Sequence, residues 1–327
     1  MRAPLVTVPQ NTAAGIGFVL AGMAAISVND VLIKALSGGY PLHQMVFIRS
    51  AIGIMFSLML VQMEGGFRIL RTRTPGLHLM RGGLVVISNL TYFAALAVIP
   101  LAEATALFFV APLLITLLSI PLLGEKVGPM RLVAVTVGFA GVVLMMRPWD
   151  SQTEVSRLIL LLPVLSALTY ALNQIMTRRL GATTRASAMA VYIQGIFIVV
   201  SLGFFAVAGD GRYAVGVENG SLQFLLRAWV WPEGTDRWLF LGLGLNSAII
   251  GFALAQAYRL ADAAVVAPFE YIGLPLAIFW GWVIWGEVPV PVVWAGSALI
   301  LGSGLFVFVR ERMQRRRLAA TPVQGRQ

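Results

Sequence analysis

The chain has 327 residues, of which 58% are hydrophobic and only 12% charged, and its formal net charge is +10. A soluble domain carries about 25% charged residues, so water is not the main solvent of this chain. The absence of cysteine excludes a disulfide framework and any thiolate chemistry.

Taken in chain order, ten predominantly apolar segments recur at about 13–35, 41–62, 77–98, 101–123, 129–147, 157–177, 186–208, 237–258, 263–286 and 290–309. Each has about 20 residues, enough for a helix to cross roughly 30 Å of hydrocarbon. The breaks are punctuated by Gly38-Gly39, Gly65-Gly66, Pro100, Gly124, Pro148, Gly181, Pro232 and Pro289. Residues 1–12 lack a basic region followed by a short apolar core and a cleavage site, so they read as a cytoplasmic N-terminus and not as a signal. The long loop 209–236 leads into Trp238 and holds Trp229 and Trp231 among charges, which predicts an interfacial helix lying on the outer surface. A substrate lid is the alternative role. The basic tail 310–327 suits anionic lipid at the inner surface.

The positive charge would suggest a nucleic-acid partner if it lay on one solvated face. Here it sits between apolar runs, where it sets orientation in a lipid bilayer, and no nucleic-acid partner is expected. With the N-terminus inside, the inner segments hold 17 Lys and Arg and the outer segments 6, with Arg49 inside a span. That split, and an even number of spans, predict both termini in the cytoplasm. His43 and His78 are distant in sequence, so no metal site is expected, and no cofactor is predicted either.

The chain also repeats itself. Residues 98–127 and 260–289 superimpose without a gap when 162 is added to each number. Gly124-Glu125 falls on Gly286-Glu287, Phe109 on Tyr271 and Pro129 on Pro291. The first and sixth spans match at an offset of 143, which puts Asp30 on Asn173, and the loop 209–236 absorbs the difference of 19. The expected fold is therefore all-α and integral to the membrane, with ten transmembrane helices as two five-helix repeats over 13–148 and 154–309. Five is odd, so the repeats are inverted, the plan of alternating-access transporters.

Four stretches carry a further likeness: RGGLVVISNLTYFAALAVIPLAEATALFFVAPLLITLL (81–118), the Gly124-Glu125 pair with Pro129 and the Gly138/Gly141 helix, AYRLADAAVVAPFEY (257–271), and GWVIWGEVPVPVVWAGSALILGSG (281–304). They resemble the drug/metabolite transporter superfamily, in its ten-helix branch with two EamA-type repeats, over roughly residues 13–309. The resemblance implies a basket of ten helices around a central cavity, with spans 1, 3, 4, 6, 8 and 9 lining it and spans 5 and 10 at the periphery. It implies cargo among amino acids or their derivatives, S-adenosylmethionine, riboflavin or similar small molecules, and gives the Gly-Glu pairs to helix ends. The glycines of 138–141 and 295–304 have the spacing of tight helix packing, with a homodimer through these peripheral helices as an open alternative.

Polar residues inside apolar spans are costly and mark candidate sites. Asp30 and Lys34 are four apart and can meet on one helix face, either as a neutralised pair near the helix end or as a cavity-facing pair. Asn173 and Gln174 hold the equivalent place in the sixth span. Glu270, beside Tyr271, is the leading candidate for substrate binding or proton coupling, because its first-half counterpart is Phe108. Asn89 and Tyr92 share a helix face with Phe93 beside them, and Asn246 and Gln256 on the eighth span are weaker candidates, as are Tyr170, Tyr192 and Gln194. Phe108, Phe109, Phe269, Tyr271 and Trp280 offer stacking surfaces, whereas Arg49 is expected to make a structural contact outside the cavity. The expected function is secondary-active transport of a small molecule by alternating access. A membrane-embedded enzyme is disfavoured by scattered acids and isolated histidines, and a receptor by the lack of any extramembrane domain in this sequence.

Overall fold

The computed structural model describes residues 12–124, 128–147, 149, 157–180, 186–260 and 267–320. Among these residues every regular element is helical. In chain order they are α1 (Thr12–Leu36), α2 (Leu42–Glu64), α3 (Pro75–Leu96), α4 (Leu101–Phe108), α5 (Ala111–Leu123), α6 (Pro129–Met146), α7 (Arg157–Leu180), α8 (Ala186–Ala208), α9 (Gly220–Leu226), α10 (Asp236–Leu260), α11 (Gly273–Trp285) and α12 (Pro291–Ala320). Short 3₁₀ turns occur at Phe67–Leu70 and Ala267–Ile272.

Eight segments are long and apolar enough to cross a membrane, and the apolar helices at Leu132–Met146 and Phe269–Trp285 are shorter. The distribution of polarity is inverted relative to a water-soluble protein. Met55, Val199, Phe205 and Trp282 face outward, while Asp30, Arg49, Ser88, Ser166 and Asn173 are buried. An outward apolar surface of this extent is a liability in water and the solvated surface in lipid.

The helices pack in a definite pattern: α1 on α10, α3 on α7, α2 on α8, α6 on α12 and α4 on α11. The 162-residue register reappears in the backbone. α5 and α11 each have 13 residues, and Ala111 and Leu123 fall on Gly273 and Trp285. Both helices end on a glycine in the left-handed region, Gly124 at φ 69° and Gly286 at φ 67°, where a side chain would be strained. Both are preceded by a break, at Phe109-Val110 in one copy and at the 3₁₀ turn Ala267–Ile272 in the other. Pro112 and Pro275 lie in the first turn of the helices that follow, where a missing N–H costs nothing. The fourth span is therefore two helices, not the one continuous helix expected. The ninth begins on a tighter turn that rotates its side chains differently from an α-helix.

The glycines of α6 and α12 do pack, and they do so within the chain. A β-carbon built on Gly141 would stand 2.7 Å from the backbone oxygen of Gly296, and one on Gly296 would stand 2.8 Å from that of Gly141. Backbone cannot yield as a flexible side chain can. Gly141→Val is therefore expected to force the helices apart and cost about 1–3 kcal/mol, measured as a lower unfolding midpoint in detergent; an unchanged midpoint would show that the crossing has slack.

The segment before α10 is docked, not spread over a surface. Ser221 Oγ donates to Ala94 O at 2.7 Å, and Phe224 is buried. Gln44 donates to Val230 O at 2.6 Å and accepts from Val230 N at 3.2 Å. Arg227 donates to Ser37 O at 3.0 Å, and also to Gly38 O. Trp229, expected at the interface, instead packs among His43, Phe47 and Phe205, because α2 and α8 present an aromatic slot there. Trp231 and Trp238 remain exposed.

Candidate functional site

A cavity of about 460 Å³ lies at the centre of the bundle, within the size range of small-molecule sites. Its wall draws on α1, α2, α3, α4, α5, α7, α8, α10, α11 and the 3₁₀ turn before α11. Asp30, Asn89, Tyr92, Phe93 and Glu270, all expected as site residues, line it together.

Asp30 is the centre of the polar part. Its Oδ1 accepts from Asn29 Nδ2 at 3.2 Å, and its Oδ2 accepts from the Tyr92 hydroxyl at 3.2 Å. Tyr92 is in turn 3.1 Å from Thr105 Oγ1, so α1, α3 and α4 are tied through one carboxylate. An ionised group at the centre of a membrane helix costs about 2.5–3.5 kcal/mol on insertion scales. Hydrogen bonds to a charged group return about 1.5–3 kcal/mol each, so two such bonds hold Asp30 at this depth.

Arg49 faces Asp30, contrary to the expectation that the second span stays outside the cavity. Its Nη2 donates to Asn89 Oδ1 over a long 3.4 Å, and its guanidinium lies 5.6 Å from the centre of the Phe197 ring. Among the described residues, Arg49 and Asp30 share the cavity wall without a contact ion pair. α2 and α8 pack together, and both turn residues inward, Arg49 from one and Gln194 and Phe197 from the other.

A contiguous part of the wall is aromatic. Tyr92 meets Phe93 at 5.2 Å and Phe108 at 5.4 Å between ring centres, and Phe108 meets Tyr170 at 5.3 Å. These are favourable edge-to-face separations, and they make a rigid surface for a flat molecule. Gln174 does not line the cavity; it donates to the Tyr170 hydroxyl at 2.6 Å and holds that ring. Ser88 and Ser166 also face inward and tie α3 to α7: Ser166 Oγ donates to Ser88 O at 2.7 Å, and Ser88 Oγ donates to Ser166 O at 3.0 Å.

Glu270 comes from the 3₁₀ turn Ala267–Ile272 and shares the cavity with its first-half counterpart Phe108. The same depth is thus acidic in one copy and apolar in the other. Tyr271, the next residue, points away. Its ring meets Phe109 at 5.5 Å, and its hydroxyl lies over Gly304, which leaves room for it. Phe109 and Tyr271 are equivalent positions of the two copies in mutual contact.

Three other candidates, Lys34, Asn246 and Asn173, fall outside the cavity wall. Lys34 does not pair with Asp30. It forms an ion pair of 2.6 Å with Glu287, donates to Ile99 O at 3.0 Å and lies 5.0 Å from the Trp285 ring centre. Asp30 already has two partners on α1 and α3, and Lys34, one turn further on, reaches the end of the bundle instead. Asn246 donates to Ala25 O at 2.6 Å and ties α10 to α1. Asn173 is buried on α7. The side chain of Gln256 lies outside the described residues. Among the weaker candidates, Tyr192 donates to Leu70 O and packs on His78, away from the cavity, and Trp280 donates to Ser27 Oγ at 3.2 Å.

Sequence reasoning passed over Ser27, Asn29, Ser88, Thr105, Ser166 and Ser247, all in the wall. Small hydroxyls recur throughout membrane helices, so only their facing separates them from packing residues. Arg49 did carry a signal, as a lone charge within a span.

The EamA-like transporter family matches residues 13–147. A riboflavin transporter of Rhizobium johnstonii is 33% identical over 304 residues, covering 92% of each chain. A riboflavin transporter of Vibrio cholerae is 32% identical over 91% of this chain and 93% of its own. An S-adenosylmethionine uptake transporter of Rickettsia felis is 27% identical over 91% and 93%. A solved crystal structure shares the fold, with a TM-score of 0.61 over 91% of this chain and 98% of its own at 21% identity. Likeness along nearly the whole length, with apolar helices throughout, makes this a multi-pass membrane protein. The chain belongs to the EamA-like transporter family.

Proposed function

We propose that this protein is a secondary-active transporter that moves a flat, polar small molecule across the bacterial inner membrane by alternating access, with riboflavin as the first candidate cargo. The observation that carries this reading is the central cavity, whose wall combines the rings of Tyr92, Phe108 and Tyr170 with the polar side chains of Asp30, Arg49 and Asn89. Two riboflavin transporters that align over at least 91% of the chain support the cargo. Transport, and not catalysis, is the activity assigned.

Two inverted repeats of five spans are the proposed frame, counting the eight long segments and the two shorter helices. The packing pattern supports it. Exchanging each span for its equivalent in the other half turns the α1–α10 contact into α7–α3, and returns α2–α8 and α6–α12 to themselves. The Lys and Arg distribution supports cytoplasmic termini, which puts the Lys34–Glu287 end of the bundle outside. Glu270 is the proposed coupling group. A homodimer along α6 and α12 would use their outward faces, since their facing glycines are taken up within the chain.

Growth tests the cargo. Expression in a riboflavin auxotroph without its own uptake system is expected to restore growth on low external riboflavin. Failure to restore it, with the protein present in the membrane, would remove riboflavin as an imported cargo.

A further inference from the structure

Arg49 is buried to 9% exposure and lines the cavity, yet among the described residues its only hydrogen bond is the 3.4 Å contact to Asn89. A guanidinium has five N–H donors in one plane. Its contact with Phe197 leaves several of them to be satisfied by water or a ligand. Across from it, Asp30 accepts one bond on each oxygen, about half the capacity of a carboxylate. Asn29, 5% exposed and also in the wall, has a buried Oδ1 with no hydrogen-bond partner among the described residues. Opposite charges at this depth would ordinarily close into an ion pair. Here they are held apart, with unused donors on one side and unused acceptors on the other.

We propose that Arg49 and the Asn29–Asp30 pair form a two-sided clamp for one polar edge of the cargo. Arg49 donates to an acceptor oxygen, and Asp30 with Asn29 accepts from a neighbouring N–H or O–H. Tyr92 sets the register, because it both donates to Asp30 and belongs to the aromatic wall. A ring lying against that wall presents its edge to the clamp. The ligand class is a planar molecule whose edge carries a carbonyl beside an N–H, as in an imide or cyclic amide. The clamp rests on the cavity being the cargo site, as proposed above, and Arg49 becomes a direct binding residue.

Equilibrium binding to the full chain in nanodiscs tests it, using riboflavin and 3-methylriboflavin, in which the imide N–H is replaced by N–CH₃. In the wild type, N-methylation is expected to weaken binding about tenfold or more, as is Arg49→Gln with riboflavin, the scale of a lost hydrogen bond to a charged group. Asp30→Ala is expected to bind the two flavins alike, which separates a lost hydrogen bond from simple crowding by the methyl. Variants are compared only when monodisperse, and the wild-type flavin pair needs no variant at all. Equal wild-type affinity for the two flavins, an Arg49→Gln affinity unchanged from wild type, or an undiminished methyl penalty in Asp30→Ala would each overturn the clamp. If the wild type ignores riboflavin but binds S-adenosylmethionine, whose adenine edge has no carbonyl beside its N–H, the riboflavin assignment fails and the clamp's ligand class is overturned with it. A wild type that binds neither overturns both.

Discussion

Glu287→Ala is expected to destabilise the folded bundle by about 2–3 kcal/mol, below the usual 3–5 for breaking a buried pair because the site is partly open. Glu287 has two jobs on two oxygens. Oε1 takes the Lys34 ammonium at 2.6 Å, and Oε2 accepts from the Leu101 N–H at 3.0 Å. That N–H belongs to the first residue of α4, where no intrahelical acceptor exists. Removing the carboxylate therefore strands a cation and leaves the start of α4 uncapped, while also freeing the α11–α12 turn from the first half of the chain. Lys34→Met is expected to cost less, because Glu287 keeps Leu101. Thermal unfolding in detergent reads both, and a Glu287→Ala midpoint equal to wild type would mean that water replaces the carboxylate at little cost.

Glu270→Gln is expected to remove the response of transport to an imposed proton gradient. One proton moved down one pH unit is worth about 1.4 kcal/mol, or tenfold accumulation of a neutral cargo. The variant should lose that tenfold while still equilibrating cargo, since glutamine keeps the size of the side chain and its hydrogen bonding but cannot carry the proton. Uptake into proteoliposomes with and without a pH step measures it. Accumulation by Glu270→Gln that still follows the gradient would transfer the coupling to another group in the cavity.

Much of the backbone plan was legible because the repeat is written in punctuation. Gly124 and Gly286, and Pro129 and Pro291, mark the same helix ends 162 residues apart, and the structure keeps that register at both. The cavity was legible where an expensive side chain sat in an apolar run, as with Asp30 and Glu270. Facing was not. These helices are apolar nearly all round, so periodicity gives no inner side, and whether Arg49 points into the cavity depends on how α2 packs against α8 and α10. Lys34 illustrates the same limit: four residues from Asp30 on one helix, it takes a partner 253 residues away. Tyr271 lies outside the cavity wall because its ring packs on Phe109 and its hydroxyl lies over Gly304, contacts set by tertiary packing and not by its place beside Glu270.

Counterflow gives the most direct test of the transport assignment. Proteoliposomes loaded with unlabelled riboflavin are placed in a trace of labelled riboflavin, which removes any requirement for a driving gradient. An alternating-access carrier for riboflavin predicts transient, saturable accumulation of label above that of protein-free liposomes, abolished when unlabelled riboflavin is added outside. Label that enters no faster than in protein-free liposomes, with correctly folded protein in the bilayer, would contradict it.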